Sequence, residues 1–292
     1  MSLSPYISKA ETLIEALPYI QSFRNAVVVV KFGGSAMESR EQMASILVDV
    51  AFLWTCGMRP VIVHGGGKAI SRALAAAGIP TQFVQGLRVT DEASINVVER
   101  VIKHETNASV VTILHGHGVQ AESLFGENVF YVRRKTGKDP VSGELLDWGF
   151  VGEPVACDTG PVYEVMQRGV VPVLCPLGRG EDGKLYNINA DNAAAALAKA
   201  LKAKKLAFVS DVPGLLRDPK DPATLIHTLR VGDAPALVRE GVIGGGMLPK
   251  IQSCVEAINA GVGKVHLVDG RMAHSLLLEI FTTTGVGTEI IG

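Results

Sequence analysis

The chain has 292 residues, of which 47% are hydrophobic and 20% charged, so it is too apolar for a disordered chain and long enough for about two domains. Its 28 basic and 29 acidic residues nearly cancel, which excludes the positive surface expected of a protein that binds nucleic acid or an acidic membrane. The 32 glycines make up about 11% of the chain, against a usual ~7%.

The longest apolar runs, residues 26–30 and 193–198, are shorter than the ~18 residues that a membrane-spanning helix needs. The N-terminal segment lacks the basic head and the apolar core of a secretory signal, so we expect a cytoplasmic protein. The four cysteines form no C-x-x-C pair, and we expect reduced thiols rather than a disulfide framework or a zinc site. We expect the segment from His115 to His117 to be a loop, and no metal site built by the protein itself.

The first predicted element is a helix over residues 4–17, where Ser4 can cap the helix and Pro5 suits its first turn. Its apolar residues recur at helical spacing and form one face: Ile7, Ala10, Leu13, Ile14 and Leu17. Pro18 ends the predicted helix. Because the helix precedes the first strand, its apolar face packs either on its own domain or on another subunit, and the sequence leaves both open.

Strand and helix alternate after this helix. Residues 27–32 are apolar and mostly β-branched except for Lys31, which is typical of a strand that is buried on both faces. Further strands are predicted at 60–63, 110–114, 170–174, 206–210 and 264–268. Helices are predicted at 38–56, 68–77, 91–107, 162–168, 192–203 and 250–260. This order predicts an α/β fold with an open, mostly parallel central sheet, helices on both faces, and an N-terminal extension helix.

The alternation is interrupted between residues 128 and 154. Two strands there, 129–134 and 147–151, predict a hairpin that projects from the sheet. A compact set of strands and helices follows Lys204, which we take as a domain boundary. The predicted division of the chain is 1–24, 25–204 and 205–292.

Glycines cluster where predicted strands lead into helices: Gly33-Gly34, residues 65–67, Gly214 and residues 244–246. Glycine lets an anion approach the backbone closely, and the free N–H groups at a helix N-terminus favour phosphate or carboxylate. The sequence has neither the G-x-x-x-x-G-K-[ST] motif of P-loop proteins nor a G-x-G-x-x-G dinucleotide motif. It therefore predicts phosphate binding without either common device.

Six segments occur in the order that is typical of the amino-acid kinase family: VVVVKFGGSAM, VIVHGGGKAI, GLRVTD, YNINADNAAAALA, FVSDVPGLL and GGGMLPKI. From about residue 27 to its end, the chain resembles this family, which implies a three-layer sandwich fold. Residues 64–67 and 86–90 favour the branch that phosphorylates N-acetyl-L-glutamate over the branches that act on carbamate, aspartate or uridylate. The resemblance implies transfer of phosphate from ATP, with Mg²⁺, to the γ-carboxylate of N-acetyl-L-glutamate in arginine biosynthesis.

The resemblance implies three catalytic residues. Lys31 and Lys250 match the lysines that neutralise the transferring phosphoryl group, and Asp191 matches the carboxylate that organises them. A γ-carboxylate with a pKa near ~4.3 is already ionised at neutral pH and needs no general base, so Asp191 is expected to orient the lysines. Pro249, directly before Lys250, fixes the entry into the predicted helix and leaves the exact geometry open.

The resemblance also implies two binding sites. The acyl-amino-acid site is matched by Gly65, Gly66, Arg88 and Asn187, and Arg88 can hold a carboxylate with two hydrogen bonds. The nucleotide positions are Gly33, Gly34, Ser210, Asp211, Gly214 and Gly246. The 25–204 part would then carry the acyl-amino acid and the 205–292 part the nucleotide. Mg²⁺ would be held mostly by phosphate and water.

The segment 266–288 is similar to the arginine-binding segment of feedback-inhibited members of the family. We expect L-arginine to bind beside the N-terminal helix, with Glu279 pairing its guanidinium, and with His266, Gly285 and Gly287 nearby. In those members an N-terminal helix interlaces dimers into a hexameric ring, so a homo-oligomer is expected. The alternative is an ordinary amphipathic helix followed by a glycine-rich final turn.

Three other functions are compatible with parts of the pattern. The chain could be another kinase of the family with a different acceptor, or a non-catalytic arginine or nitrogen sensor with the same fold. The presence of both Lys31 and Lys250 argues against the sensor. A dehydrogenase is disfavoured because the dinucleotide fingerprint is missing.

Overall fold

The computed structural model describes residues 4–139, 142–282 and 284–292. The helices are α1 (Ser4–Phe23), α2 (Arg40–Thr55), α3 (Gly67–Ala76), α4 (Glu92–Arg100), α5 (Ala108–Gly116), α6 (Gly160–Gln167), α7 (Ala190–Ala200), α8 (Ala234–Arg239), α9 (Met247–Asn259) and α10 (Ser275–Phe281). The strands are β1 (Val27–Phe32), β2 (Arg59–His64), β3 (Phe83–Val84), β4 (Leu87–Arg88), β5 (Ala121–Leu124), β6 (Phe130–Lys138), β7 (Leu145–Cys157), β8 (Val171–Leu174), β9 (Leu177–Gly180), β10 (Leu185–Ile188), β11 (Lys205–Ser210), β12 (Thr228–Arg230), β13 (Lys264–Asp269) and β14 (Thr288–Ile291). No helix among the described residues is long and apolar enough to cross a lipid bilayer.

Eight strands form the central sheet in the order β12–β14–β13–β11–β1–β2–β8–β5. Neighbouring strands are parallel except for β13 and β14. Strand β1 lies in the middle, with β2 on one side and the much later β11 on the other. The predicted open, mostly parallel sheet is confirmed. In such sheets, ligands bind beyond the carboxyl ends of the strands where the order changes direction, which here is the end of β1.

The apolar run of β1 supplies both faces of the sheet. Val29 packs in a cluster with α7 and α9, whereas Val28 and Val30 pack in a second cluster with α2, α5 and α10 on the other face. Successive side chains of a strand point to opposite faces, and because the residues of β1 other than Lys31 are apolar, helices cover the strand on both faces. The result is the three-layer arrangement that the sequence predicts.

The predicted hairpin forms β6 and β7, and it is longer than predicted because the two strands pair as far as Lys138 and Leu145. With β9 and β10 these strands close into a small barrel in the order β10–β7–β6–β9. The predicted boundary at Lys204 lies just before β11, which pairs with β1 in the one central sheet.

The prediction of a strand at 110–114 is wrong, because these residues belong to α5. Helix α4, a π-helical segment (Val101–Asn107) and α5 follow one another without a break. Val110 and Leu114, one helical turn apart, are buried between α5 and the sheet, and a helix face this apolar resembles a strand over five residues. His115 and Gly116 lie in the last turn of α5, so the loop predicted from His115 to His117 begins only at His117.

Helix α1 also differs from its prediction, since it continues past Pro18 to Phe23. A proline within a helix removes one hydrogen bond and costs roughly 3 kcal/mol. The last turn is held by tertiary contacts, in which the Tyr19 ring packs edge-on against Phe281 at 6.3 Å and the Lys205 ammonium lies over Phe23 at 4.9 Å. The apolar face of α1 does not pack on its own chain, because its large side chains are between 43% and 67% exposed: Ile7, Leu13, Ile14 and Leu17.

Candidate active site

Two glycine loops meet at the carboxyl ends of the central strands. Because β1 and β2 are parallel neighbours, the loops that follow them leave the sheet side by side. A Cβ atom on Gly65 would lie 3.1 Å from the Cα atom of Gly33, and a Cβ atom on Gly33 would lie 3.0 Å from Lys31 Nζ. A side chain at either glycine would therefore push the loops apart or displace the lysine.

The three residues predicted to be catalytic meet at this edge. Lys31 Nζ lies 2.7 Å from Asp191 Oδ1, and Lys250 Nζ lies 2.6 Å from Asp191 Oδ2. The three come from separate elements: Lys31 from β1, Asp191 from the first turn of α7, and Lys250 from the first turn of α9. The side chain of Asn189, rather than that of Asp191, caps α7, which leaves the Asp191 carboxylate to the lysines.

This lysine–aspartate cluster (Lys31, Asp191 and Lys250) is mostly buried, with side chains 11% to 21% exposed. Burial alone would raise the pKa of Asp191, but the two ammonium groups outweigh it and lower the pKa to about 2. Asp191 is therefore ionised at any physiological pH. Two ammonium groups against one carboxylate leave one positive charge for an anion at the sheet edge.

The four residues predicted for the acyl-amino-acid site line one pocket of about 150 Å³, which we call the Arg88 pocket: Gly65, Gly66, Arg88 and Asn187. Asn189 and Ala190 also line it, so the pocket adjoins the residue that carries the cluster's carboxylate. A Cβ atom on Gly66 would lie 2.4 Å from Cδ1 of Ile102, so a side chain there would displace the Ile102 side chain that lines the pocket.

Arg88 is a buried cation, 7% exposed. Its guanidinium donates to the Gly67 carbonyl and to Ser71 Oγ, each at 2.8 Å, and packs on the Phe83 ring at 4.8 Å. Burial lowers its pKa below the usual value for arginine. None of the ion pairs among the described residues includes Arg88, so its charge favours a ligand that brings a carboxylate into the pocket.

His64 was not among the predicted site residues, yet it fixes the start of the second glycine loop. It is fully buried; Nδ1–H donates to the Gly65 carbonyl at 2.7 Å, and Nε2 accepts from Asn107 at 3.1 Å. The Asn107 amide also donates to the Val173 carbonyl at 2.9 Å. His64 stands in the His-Gly-Gly-Gly motif, but Asn107 lies 43 residues away and no sequence signal pointed to it.

The predicted nucleotide positions lie partly at the same edge. The buried Ser210 hydroxyl has no hydrogen-bond partner among the described residues, and the next residue, Asp211, lies beside Gly34, whose φ is +69°. Gly246 precedes α9 with open space around it. Gly214 differs, because it is buried and a Cβ atom there would lie 2.6 Å from Thr288 Oγ1, so packing already accounts for this glycine.

A second pocket of about 520 Å³ joins the end of α1 to the C-terminal segment, and we call it the α1–α10 pocket. Its lining includes Tyr19, Phe23, Lys205, His266, Glu279 and Gly285. Three of the four predicted arginine-site residues thus line one pocket with the N-terminal helix. The fourth, Gly287, donates its backbone N–H to Glu279 Oε2 at 2.9 Å.

The charged groups of the α1–α10 pocket are already connected. Lys205 Nζ lies 3.0 Å from His266 Nε2, and His266 Nδ1–H donates to Glu279 Oε1 at 2.7 Å. Glu279 Oε2 accepts two backbone N–H groups, including that of Val286 at 2.8 Å. Burial lowers the pKa of Lys205 to about 8. Lys205, which was not predicted, is thus the buried cation of this pocket. Because Glu279 Oε2 already accepts two hydrogen bonds and Oε1 accepts one, only Oε1 can accept another.

Comparison with known proteins identifies the family and the fold. Residues 26–269 match the model of the amino acid kinase family. An acetylglutamate kinase of Heliobacterium modesticaldum is 47% identical over 98% of each chain. The structure of N-acetylglutamate synthase from Neisseria gonorrhoeae, complexed with coenzyme A and N-acetyl-glutamate, is similar with a TM-score of 0.84 and 29% identity over 97% of this chain. The same synthase complexed with coenzyme A and L-arginine gives a TM-score of 0.80, with 27% identity over 97% of this chain. This chain spans less than two thirds of the length of the synthase, 63% and 65% in the two structures.

His64 makes the stability of the fold depend on pH. Burial lowers its pKa to about 4 from 6.5, although the bond to Gly65 opposes this. In the unfolded chain the imidazole takes up a proton as the pH falls below 6.5, whereas the folded chain resists until about pH 4. The contribution of His64 to the free energy of unfolding therefore falls by about 2 kcal/mol between pH 7 and pH 5.

Urea unfolding of the His64→Gln variant measures this effect. We expect the stability difference between the unaltered protein and the variant to shrink by about 2 kcal/mol on going from pH 7 to pH 5. His227→Gln, at an exposed position, controls for the loss of one imidazole. A difference for His64→Gln that is the same at both pH values would show that His64 is not held neutral in the fold.

Proposed function

This chain belongs to the amino acid kinase family, and from that premise we propose that it transfers the γ-phosphoryl group of ATP to the γ-carboxylate of N-acetyl-L-glutamate. The products are N-acetyl-L-glutamyl 5-phosphate and ADP, and the reaction belongs to cytoplasmic arginine biosynthesis. Curated relatives of nearly full length that carry the name acetylglutamate kinase support this assignment at 47% and 45% identity.

The lysine–aspartate cluster beside the Arg88 pocket is the observation that carries the proposal. The pocket offers a buried cation for one carboxylate of the acceptor, and the cluster offers a positive charge for the phosphoryl group. The two adjoin, because Ala190 lines the pocket and Asp191 follows it in the chain. An acceptor with two carboxylates, one held and one reacting, fits this arrangement.

Catalysis follows from position and charge. Arg88 holds the unreactive carboxylate, and Asn187 with the Gly65-Gly66 backbone holds the remaining polar groups of the acceptor. The γ-carboxylate is already ionised and attacks the γ-phosphorus, while Lys31 and Lys250 neutralise the charge on the phosphoryl oxygens. Asp191 holds the two ammonium groups together and takes up no proton, since its pKa is about 2.

ATP enters as its Mg²⁺ complex, in which the metal neutralises phosphate charge and is held mostly by phosphate oxygens and water. Ser210 and Asp211 fit a position beside the nucleotide in this complex. Both lie at the carboxyl end of β11 at the same sheet edge, and the buried Ser210 hydroxyl has no hydrogen-bond partner among the described residues. Gly33 and Gly34 of the neighbouring loop bring the backbone close to the phosphates.

The test is ADP release in the presence of Mg²⁺-ATP with a panel of acceptors. We expect turnover with N-acetyl-L-glutamate and at least 100-fold lower kcat/KM with glutamate, aspartate, carbamate and UMP, because a site built for one set of polar contacts rejects acceptors that lack them by about that factor or more. Turnover with a non-acetylated acceptor alone would make the chain a different kinase of the family. No turnover with any acceptor, together with arginine binding, would favour the sensor.

We also propose that L-arginine binds in the α1–α10 pocket and inhibits the enzyme. The synthase structure with L-arginine is a relative of similar fold, and the pocket presents both acidic and basic groups to a zwitterionic ligand. The guanidinium would share Glu279 Oε1 with His266. The ligand's carboxylate has Lys205 within the same lining.

Calorimetric titration tests the arginine site. We expect saturable binding of L-arginine below millimolar concentration, and at least tenfold weaker binding by Glu279→Gln, since a charged hydrogen bond contributes about 1.5–3 kcal/mol. Glu122→Gln, which removes a carboxylate paired with Arg168 at the surface, should bind like the unaltered protein. No heat at millimolar arginine would contradict the proposal.

The exposed apolar face of α1 supports a homo-oligomer in which this helix contacts another subunit, giving a dimer or a hexamer built from dimers. Sedimentation of the unaltered protein should give the mass of a dimer or of a hexamer, and the double variant Leu13→Lys, Ile14→Lys should give a smaller mass. A monomer of the unaltered protein at micromolar concentration, or an equal mass for the double variant, would contradict this role of α1.

A further inference from the structure

Trp148 connects the barrel to the segment that carries Arg88. Its ring is buried in β7, 2% exposed, and its indole Nε1–H donates to the Val84 carbonyl at 2.9 Å. Val84 belongs to β3, which pairs with β4 in a hairpin of two residues per strand, with Val84 opposite Leu87. None of the contacts in the lysine–aspartate cluster or the Arg88 pocket includes this indole.

The β3–β4 hairpin cannot hold its position alone. Its turn residues, Gln85 and Gly86, have φ of +49° and +77°, the pattern of a two-residue type I′ hairpin. A hairpin this short is at most marginally stable in water, and the ring of Phe83 is 56% exposed. The position of Arg88 in β4 therefore depends on what the hairpin is attached to.

Both ends of the hairpin are attached to β7. The Trp148 indole holds Val84, the last residue of β3 before the turn. The backbone of Trp148 and of Phe150 holds the chain just after β4. There, the Thr90 N–H donates to the Trp148 carbonyl at 2.9 Å, and the Phe150 N–H donates to the Thr90 carbonyl at 2.7 Å. Gly149, between Trp148 and Phe150, has φ of +72°, and a Cβ atom there would lie 2.2 Å from the Thr90 carbonyl oxygen. The backbone attachment thus needs glycine. Among the hydrogen bonds of the described residues that join the hairpin to β7, the indole bond is the one made by a side chain.

We propose that Trp148 is a positioning residue for the acceptor: by holding the β3–β4 hairpin on the barrel, it fixes the Arg88 guanidinium over the pocket. Val151, two residues past Gly149 in β7, lines the same pocket, so one strand both forms the wall and holds the hairpin. This proposal rests on the proposed function for the identity of the acceptor. Its consequence is that Trp148 affects acceptor affinity more than phosphoryl transfer or nucleotide binding.

Trp148→Phe removes the indole donor and keeps an aromatic ring in the core. We expect KM for N-acetyl-L-glutamate to rise by about five- to tenfold, as loss of one hydrogen bond allows. We expect kcat and KM for ATP to stay within about twofold, because the lysine–aspartate cluster is untouched.

Trp54→Phe is the matched control. The Trp54 indole also donates to a backbone carbonyl, that of Gly169 at 3.0 Å, but its bond lies outside the Arg88 pocket. This variant should lose stability without a change in KM for the acceptor. An unchanged acceptor KM in Trp148→Phe, or an equal rise in Trp54→Phe, would overturn the proposal.

Hydrogen exchange gives a readout that does not need the acceptor to be known. Amides of residues 82–90 should exchange faster in Trp148→Phe than in the unaltered protein, and they should be unchanged in Trp54→Phe. Equal exchange in both variants refutes the positioning role even if N-acetyl-L-glutamate proves not to be the acceptor. Absence of turnover by the unaltered protein would refute the proposed function and leave the exchange result to decide on Trp148.

Discussion

The Asp191 carboxylate between Lys31 and Lys250 is the interaction on which the rest of the site depends. Two ammonium groups that are largely shielded from water repel each other, and the buried carboxylate 2.7 Å and 2.6 Å away holds both in place. The three groups come from β1, α7 and α9, so the cluster forms only when the central sheet and the helices on its face are assembled. The cluster still carries one positive charge, which is what an incoming phosphoryl group needs.

The two structural parts around this cluster have separate tasks. The parallel sheet brings the ends of β1, β2 and β11 together, and with them the glycine loops and the lysines. The barrel and the β3–β4 hairpin surround the Arg88 pocket and supply Asn187 and Arg88 to its lining. The two glycine loops lie between these parts, where a side chain on Gly65 would crowd the Gly33 backbone and one on Gly33 would crowd the Lys31 ammonium. The glycine excess of the chain is therefore partly a requirement of this close approach.

The sequence predicted what depends on local patterns and on ordered motifs. The bounds of β1 were predicted to the residue, because a run of six residues that is apolar except for Lys31 is typical of a strand that is buried on both faces. The three cluster residues and the four residues of the Arg88 pocket were predicted from motifs, and the structure brings each set together; their roles stay predictions.

The prediction of a strand at 110–114 failed because the apolar face of a buried helix can look like a strand over five residues. Helix α1 passes Pro18 because of contacts with residues that are distant in the chain. His64–Asn107 and Trp148–Val84 could not be predicted for the same reason, since each joins residues at least 43 positions apart.

In the proposed mechanism Asp191 is an orienting group rather than a base, and the Asp191→Asn variant tests this claim most directly. The amide keeps the shape of the side chain and removes the charge that holds the lysines together. We expect kcat for phosphorylation of N-acetyl-L-glutamate to fall on the order of 10²-fold, with the same pH dependence between pH 6 and 9 and with acceptor KM within about threefold. A folded Asp191→Asn enzyme with unchanged kcat would contradict the orienting role. So would a kcat that falls mainly at the alkaline end of this range, because a base that titrates there is active only above its pKa and its loss costs most at higher pH.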